Sequence, residues 1–319
     1  MAKAVAWKEI VVFVHGITPE PYVQAHAQTY DGLYKLVNDE LKVQQKKPLG
    51  SDKIYVEWGW QASQGKDKNL AEAQRKLTLS TFEEYVKAKD FTFNPTRAVV
   101  KGLRNMFMYG IGDMFYYVSE DGKQSIRNNV FETILKKLED SSRPNKSSKK
   151  YSENISLTLF GHSAGTVILH DLLFHIFFQK IKGRNNSVAY EDRLNTVRVA
   201  AQNGKIRLRK FYTFGSPITP LTFRSDNLVQ MAANSSNGRE FLKPEDIGIK
   251  SYRDLKKSLP RWVNFWDPDD LISFPVEHLY KDKGKIIEDK CIDVSDNPFD
   301  AHGKYWTNKK VAKYIAETY

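Results

Sequence analysis

The sequence predicts an α/β fold, a mostly parallel central sheet flanked by helices, on three observations. Short apolar runs alternate with longer segments of helical periodicity, several of the runs end at a glycine, and one leads through a Gly-x-Ser-x-Gly turn into a further helical segment. The 319 residues are 41% hydrophobic and 27% charged, which suits a packed soluble chain and excludes wholesale disorder. A single domain over 1–319 is expected.

In chain order, residues 10–14 form a first strand that ends at His15-Gly16. Residues 22–43 follow as a helix, because Tyr30, Leu33, Leu36, Val37 and Leu41 recur at helical spacing. Residues 54–60 read as the next strand. Residues 61–122 carry helical patches and the aromatics Phe91, Phe93, Phe107, Phe115, Tyr116 and Tyr117. That stretch is too long for a plain loop, so it reads as a helical insertion, either packed on the periphery or serving as a cap over a site. A helix over 125–138 and a polar linker over 141–150 come next. The strands 157–160, 211–214, 263–266 and 286–294 complete the set, with an apolar helix over 167–178 after the first of them.

Several function classes drop out. Lys8 and Glu9 precede only five apolar positions, too few for a signal-peptide core, and a cytoplasmic location is expected. The segment 167–178 is broken by His170, Asp171 and His175 and is shorter than the roughly 20 residues that span a bilayer. The single cysteine, Cys291, has no partner for an intramolecular disulfide and reads as a small buried apolar residue. Lys and Arg number 49 against 38 Asp and Glu, a net +11. The basic clusters at Lys46-Lys47, 146–150 and Lys309-Lys310 are modest and lie in polar sequence. They predict a basic surface with at most weak contact to an anionic membrane, and no nucleic-acid partner. There is no phosphate-binding G-x-x-x-x-G-K-[ST], no H-E-x-x-H and no C-x-x-C, and Gly110-Ile111-Gly112 has Phe115 where a dinucleotide fingerprint needs glycine. No cofactor and no metal are expected.

Gly161-His162-Ser163-Ala164-Gly165 carries the chemistry. An apolar run precedes it and Thr166-Val167-Ile168-Leu169 follows, the strand, sharp turn and helix of a nucleophile elbow. Serine at its ordinary pKa needs a base within hydrogen-bond reach. His162 lies in the elbow itself, and His170 and His175 lie roughly 10 and 18 Å along the following helix at about 1.5 Å per residue. His15 ends the first strand, His26 opens the first helix, and His278 is too near the candidate acids. His302, in a polar loop before the last helix, is the remaining base. The acid lies in Asp267-Pro268-Asp269-Asp270-Leu271-Ile272 after a strand, with Asp270 favoured over Asp269 and Asp267. Backbone N–H groups of Ile17 and Ala164 are the candidate oxyanion donors. His15, His162, Val167, Phe107, Phe115 and Tyr116 are candidate pocket residues.

The stretches VVFVHG, GHSAG, TFGSPIT, DPDDLISFP and AHGKYW, in that order, resemble the strand-end motifs of the α/β-hydrolase superfamily, particularly its lipases and esterases. The resemblance implies that Asp270-Leu271-Ile272 carries the triad acid and His302-Gly303-Lys304-Tyr305-Trp306 the base. It further implies hydrolysis of a carboxylic ester or lipid through an acyl-enzyme, without cofactor or metal. The chain departs from the family in lacking the first two strands and in continuing His15-Gly16 with Ile17-Thr18-Pro19. A thioesterase or lysophospholipase with the same triad is an alternative, and so is a non-catalytic scaffold docking an acidic partner or a membrane.

Overall fold

A computed structural model describes residues 6–16, 26–58, 120–142, 153–178, 191–222, 242–250, 252, 255, 259–282 and 285–319. Most of the expected insertion, 61–119, lies outside the described residues, as do Ile17, Phe107, Phe115 and Tyr116.

Among the described residues six strands form one all-parallel sheet: β1 Trp7–Val14, β2 Asp52–Val56, β3 Asn154–His162, β4 Ile206–Phe214, β5 Trp262–Trp266 and β6 Ile287–Cys291. All six stand where the sequence predicts strands. Their order is β2-β1-β3-β4-β5-β6. After β1 the chain moves one way to β2, and after β2 it crosses to β3 and then steps outward the other way. The gap between the carboxyl ends of β1 and β3 is therefore the topological switch point, where open parallel sheets place their sites.

Seven helices accompany the sheet among the described residues: α1 His26–Val43, α2 Glu120–Ser142, α3 Ala164–Phe177, α4 Glu191–Gln202, α5 Ile218–Thr222, α6 Pro298–Lys304 and α7 Lys309–Thr318. Parallel strands need helical crossovers, and these cover both faces. On one face α1 and α7 pack on Val11, Phe13, Phe160, Tyr212, Phe214 and Phe265. On the other, α2, α3 and α4 pack on Val12, Val14, Leu157, Leu159, Leu208 and Phe211. Neighbouring residues of one strand thus serve opposite faces, as the period of two demands. In β4 the parity changes: Ile206 and Leu208 share a face with Phe211 because the pairing with β3 slips by one at Leu157/Thr158.

Two expectations need correction. Helix α2 runs from Glu120 to Ser142, beyond the expected 125–138 at both ends. Cys291 is exposed rather than buried, because it ends β6, the edge strand of the sheet among the described residues. No helix among the described residues is long and apolar enough to cross a membrane.

Candidate active site

The elbow is made by close approach of backbones. A Cβ on Gly165 would lie 2.4 Å from the His15 carbonyl oxygen and 2.5 Å from that of Val14, so only glycine lets α3 start against the end of β1. Ser163 itself holds φ 52° and ψ −130°, a conformation that L-residues rarely adopt and that costs about 1–3 kcal/mol. The surroundings enforce it. The Ser163 N–H donates to the Phe214 carbonyl at 2.9 Å, while the Ser163 carbonyl accepts from Thr166 N–H at 3.0 Å and Thr166 Oγ1 at 2.6 Å. Thr166 Oγ1 in turn meets Ser216 Oγ at 2.9 Å, tying the elbow to the loop after β4.

Gly16, just after β1, approaches Ser163 from the other side of the switch point. A Cβ on Gly16 would sit 2.4 Å from Ser163 Cβ and 2.9 Å from its Oγ. His15 is 1% exposed, its ring stacked on His26 with centroids 3.7 Å apart and on Trp58 at 5.7 Å. Trp58 N–H donates to His15 Nε2 at 3.2 Å and the Trp58 indole donates to the His15 carbonyl at 2.7 Å, while Nδ1 bonds the Gly16 carbonyl. These bonds select the neutral Nδ1–H tautomer. Burial, then the nearby His26, push the His15 imidazole down to about 3, which removes it as a base near neutrality.

His302, expected in a polar loop, stands instead in helix α6, with Nδ1 3.0 Å from both carboxylate oxygens of Asp270. Asp270 follows β5 and its side chain is fully buried, whereas that of His302 is 19% exposed. Two more donors reach the carboxylate: Ile272 N–H at 3.0 Å to Oδ1 and Tyr305 Oη–H at 3.0 Å to Oδ2. Burial pushes the Asp270 carboxyl up, but the His302 hydrogen bond and charge, the Ile272 amide and the Tyr305 hydroxyl outweigh it and hold it below the usual carboxylate range. Gly215, at φ 54°, closes the space below this pair, since a Cβ there would lie 2.8 Å from Asp270 Oδ2 and 3.0 Å from His302 Nδ1.

No family model, curated protein or solved structure matches this chain.

The three competing aspartates are separated by their partners. Asp267 accepts from Asp269 N–H at 2.9 Å and Val294 N–H at 2.6 Å, which braces the loop, and Asp269 is exposed. Asp270 is the one of the three that meets His302. Ala164 opens α3, so its N–H belongs to a first turn that has no intrahelical acceptors. Of the expected pocket residues, Val167 is half-buried and packs against the aliphatic core, and His162 is buried with Nε2–H donating to the His302 carbonyl at 2.5 Å. His170 lies deeper, against Tyr280 Oη, and His278 is exposed in a separate turn. Among the described residues no group of three or more His, Cys, Asp or Glu is arranged to hold a metal ion.

Sequence reasoning missed the side-chain roles of Tyr305, Trp58, His26 and the Thr166–Ser216 pair. Tyr305 and Ser216 did lie inside stretches picked out above, AHGKYW and TFGSPIT. Trp58 and His26 carry no local signal, because their roles come from stacking on His15 across the sheet edge.

Proposed function

We propose that the chain is a serine hydrolase with the α/β-hydrolase fold, cleaving a carboxylic ester through an acyl-enzyme. The observation that carries this reading is Ser163 at φ 52°, held in an elbow at the switch point of an all-parallel sheet. The buried Asp270 carboxylate after β5 and the half-buried His302 ring in α6, paired and following Ser163 in the chain order Ser, Asp, His, support it.

Ser163 Oγ attacks the acyl carbon, forming the Oγ–C bond as its proton passes to His302 Nε2, with Nδ1–H held by Asp270. The tetrahedral oxyanion is met by Ala164 N–H and, in this proposal, by Ile17 N–H. Collapse breaks the ester C–O bond, and the His302 proton goes to the departing alkoxide. Water then adds to the acyl carbon with His302 again as base, Ser163 leaves with a proton, and the carboxylic acid is released. Among the described residues the ring bonds of His302 run to Asp270 and none to Ser163, so the Ser163–His302 hydrogen bond forms as the reacting groups close.

A non-catalytic scaffold would have no use for a serine held at φ 52°, a conformation that lowers stability. A thioester or lysophospholipid fits the same steps with a different leaving group. The deciding experiment is labelling with a fluorophosphonate, whose phosphorus traps an activated serine. Wild type labels and Ser163→Ala does not. Equal labelling of both proteins, or none of the folded wild type, overturns the reading.

A further inference from the structure

Resting on the hydrolase reading, we propose that His162 and Tyr305 are positioning residues for the base and its acid: His162 clamps the backbone of His302, and Tyr305 clamps the carboxylate of Asp270. The three residues His162, His302 and Tyr305 come from two distant parts of the chain. His162 ends β3 immediately before the nucleophile, whereas His302 and Tyr305 lie in α6 and in the turn that follows it. The His162 Nε2–H donor reaches the His302 carbonyl at 2.5 Å, and the two rings stand 4.7 Å apart at 39°. A carbonyl accepts only, so this bond requires the Nε2–H tautomer of His162. Burial, followed by the neighbouring His302, pushes the His162 imidazole down to about 3, which keeps its donor neutral and unchanged across the working pH range.

The consequence is geometric. The residue next to Ser163 grips the main chain of the base, so the elbow and helix α6 are joined by a direct bond that limits how far the imidazole can move from Ser163. Triad geometry must be held to a fraction of an ångström, and loops do not achieve that unaided. Tyr305 performs the matching task for the acid. It is 0% exposed, and its hydroxyl occupies Oδ2 of Asp270 while Ile272 N–H occupies Oδ1, so the carboxylate plane is fixed from both ends. The Tyr305 donor also draws charge from Oδ2 and moderates how strongly Asp270 pulls on the His302 Nδ1 proton.

The test uses the full chain with a fluorophosphonate probe, the Ser163→Ala control, and the downfield proton resonance of a His302 Nδ1–H bonded to a carboxylate. His162→Phe removes the donor and lowers the labelling rate about tenfold, and His162→Gln, which replaces an N–H near the same place, restores it to within about threefold. Tyr305→Phe lowers the rate about threefold to tenfold and moves the resonance further downfield, a change that a loss of packing does not cause. If His162→Phe unfolds, His162→Gln and Tyr305→Phe carry the test. Ser163-dependent labelling at wild-type rate in His162→Phe and Tyr305→Phe, with the resonance unmoved, overturns the positioning roles while leaving the hydrolase reading intact. Wild type that labels no better than Ser163→Ala overturns the reading and the positioning roles with it.

Discussion

The two ends of the sheet bury titratable groups in opposite ways. At the carboxyl end, Asp270 is satisfied by a partner that is itself titratable: Asp270 holds Nδ1 of His302, leaving Nε2 to accept a proton. Toward the amino end, Lys210 is 1% exposed and its Nζ donates to the carbonyls of Pro260, at 2.5 Å, and of Thr318. Lys46 donates to the carbonyls of Ala316 and Glu317, each at 2.7 Å. Together these lysines satisfy the last carbonyls of α7, where a helix carries its partial negative charge. Backbone carbonyls cannot take up or pass on a proton, so Lys210 is an anchor. Comparable burial leaves a titratable partner facing the charge in one place and only carbonyls in the other.

The largest effect is expected for Asp270→Asn, which keeps the shape of the pair but destroys its charge. The labelling rate should fall by about 10³- to 10⁴-fold with the fold intact. A loss below about tenfold would move the orienting role away from Asp270. Next is Gly165→Ala, whose new methyl would press on the carbonyl oxygens of His15 and Val14 at 2.4 and 2.5 Å. Destabilisation of about 2–3 kcal/mol in a denaturant titration is expected, together with lost labelling.

Lys210→Met tests the anchor through pH. Burial, with Arg261, Arg209 and Lys46 nearby, pushes the Lys210 ammonium from 10.5 down to about 6. Between those values the unfolded chain keeps a proton that the folded one releases, so this lysine makes stability rise with pH from about 6 toward 10 and fall again as pH drops. Melting temperature plotted against pH should be flatter over that range in Lys210→Met, and equal slopes would assign the dependence to another group. Ser163→Gly should be inactive yet about 1 kcal/mol more stable than Ser163→Ala, since glycine accepts φ 52° without strain. Lys46→Met should cost only about 0.5 kcal/mol, because its bonds lie near solvent.

Legibility differed by the range of the signal. The strands at 10–14, 157–160 and 263–266 were evident from short apolar runs, and the elbow from two glycines around a serine, since both are properties of consecutive residues. The exposure of Cys291 was not readable, because it depends on β6 being an edge. Nor was the parity change in β4, where the slip at Leu157/Thr158 moves Phe211 to the face of Leu208.

By itself, the sequence determined the alternation of strand and helix, the Gly-x-Ser-x-Gly turn and the candidate base, each written in spacing along the chain. Only the tertiary structure decided that Asp270 rather than Asp267 or Asp269 meets His302, that Tyr305 completes the carboxylate's shell, and that His162 bonds the His302 main chain. The reason is physical. Periodicity and turn chemistry are local, while a hydrogen bond between side chains from separate loops depends on where each loop lands after the whole sheet has been assembled and its two faces covered.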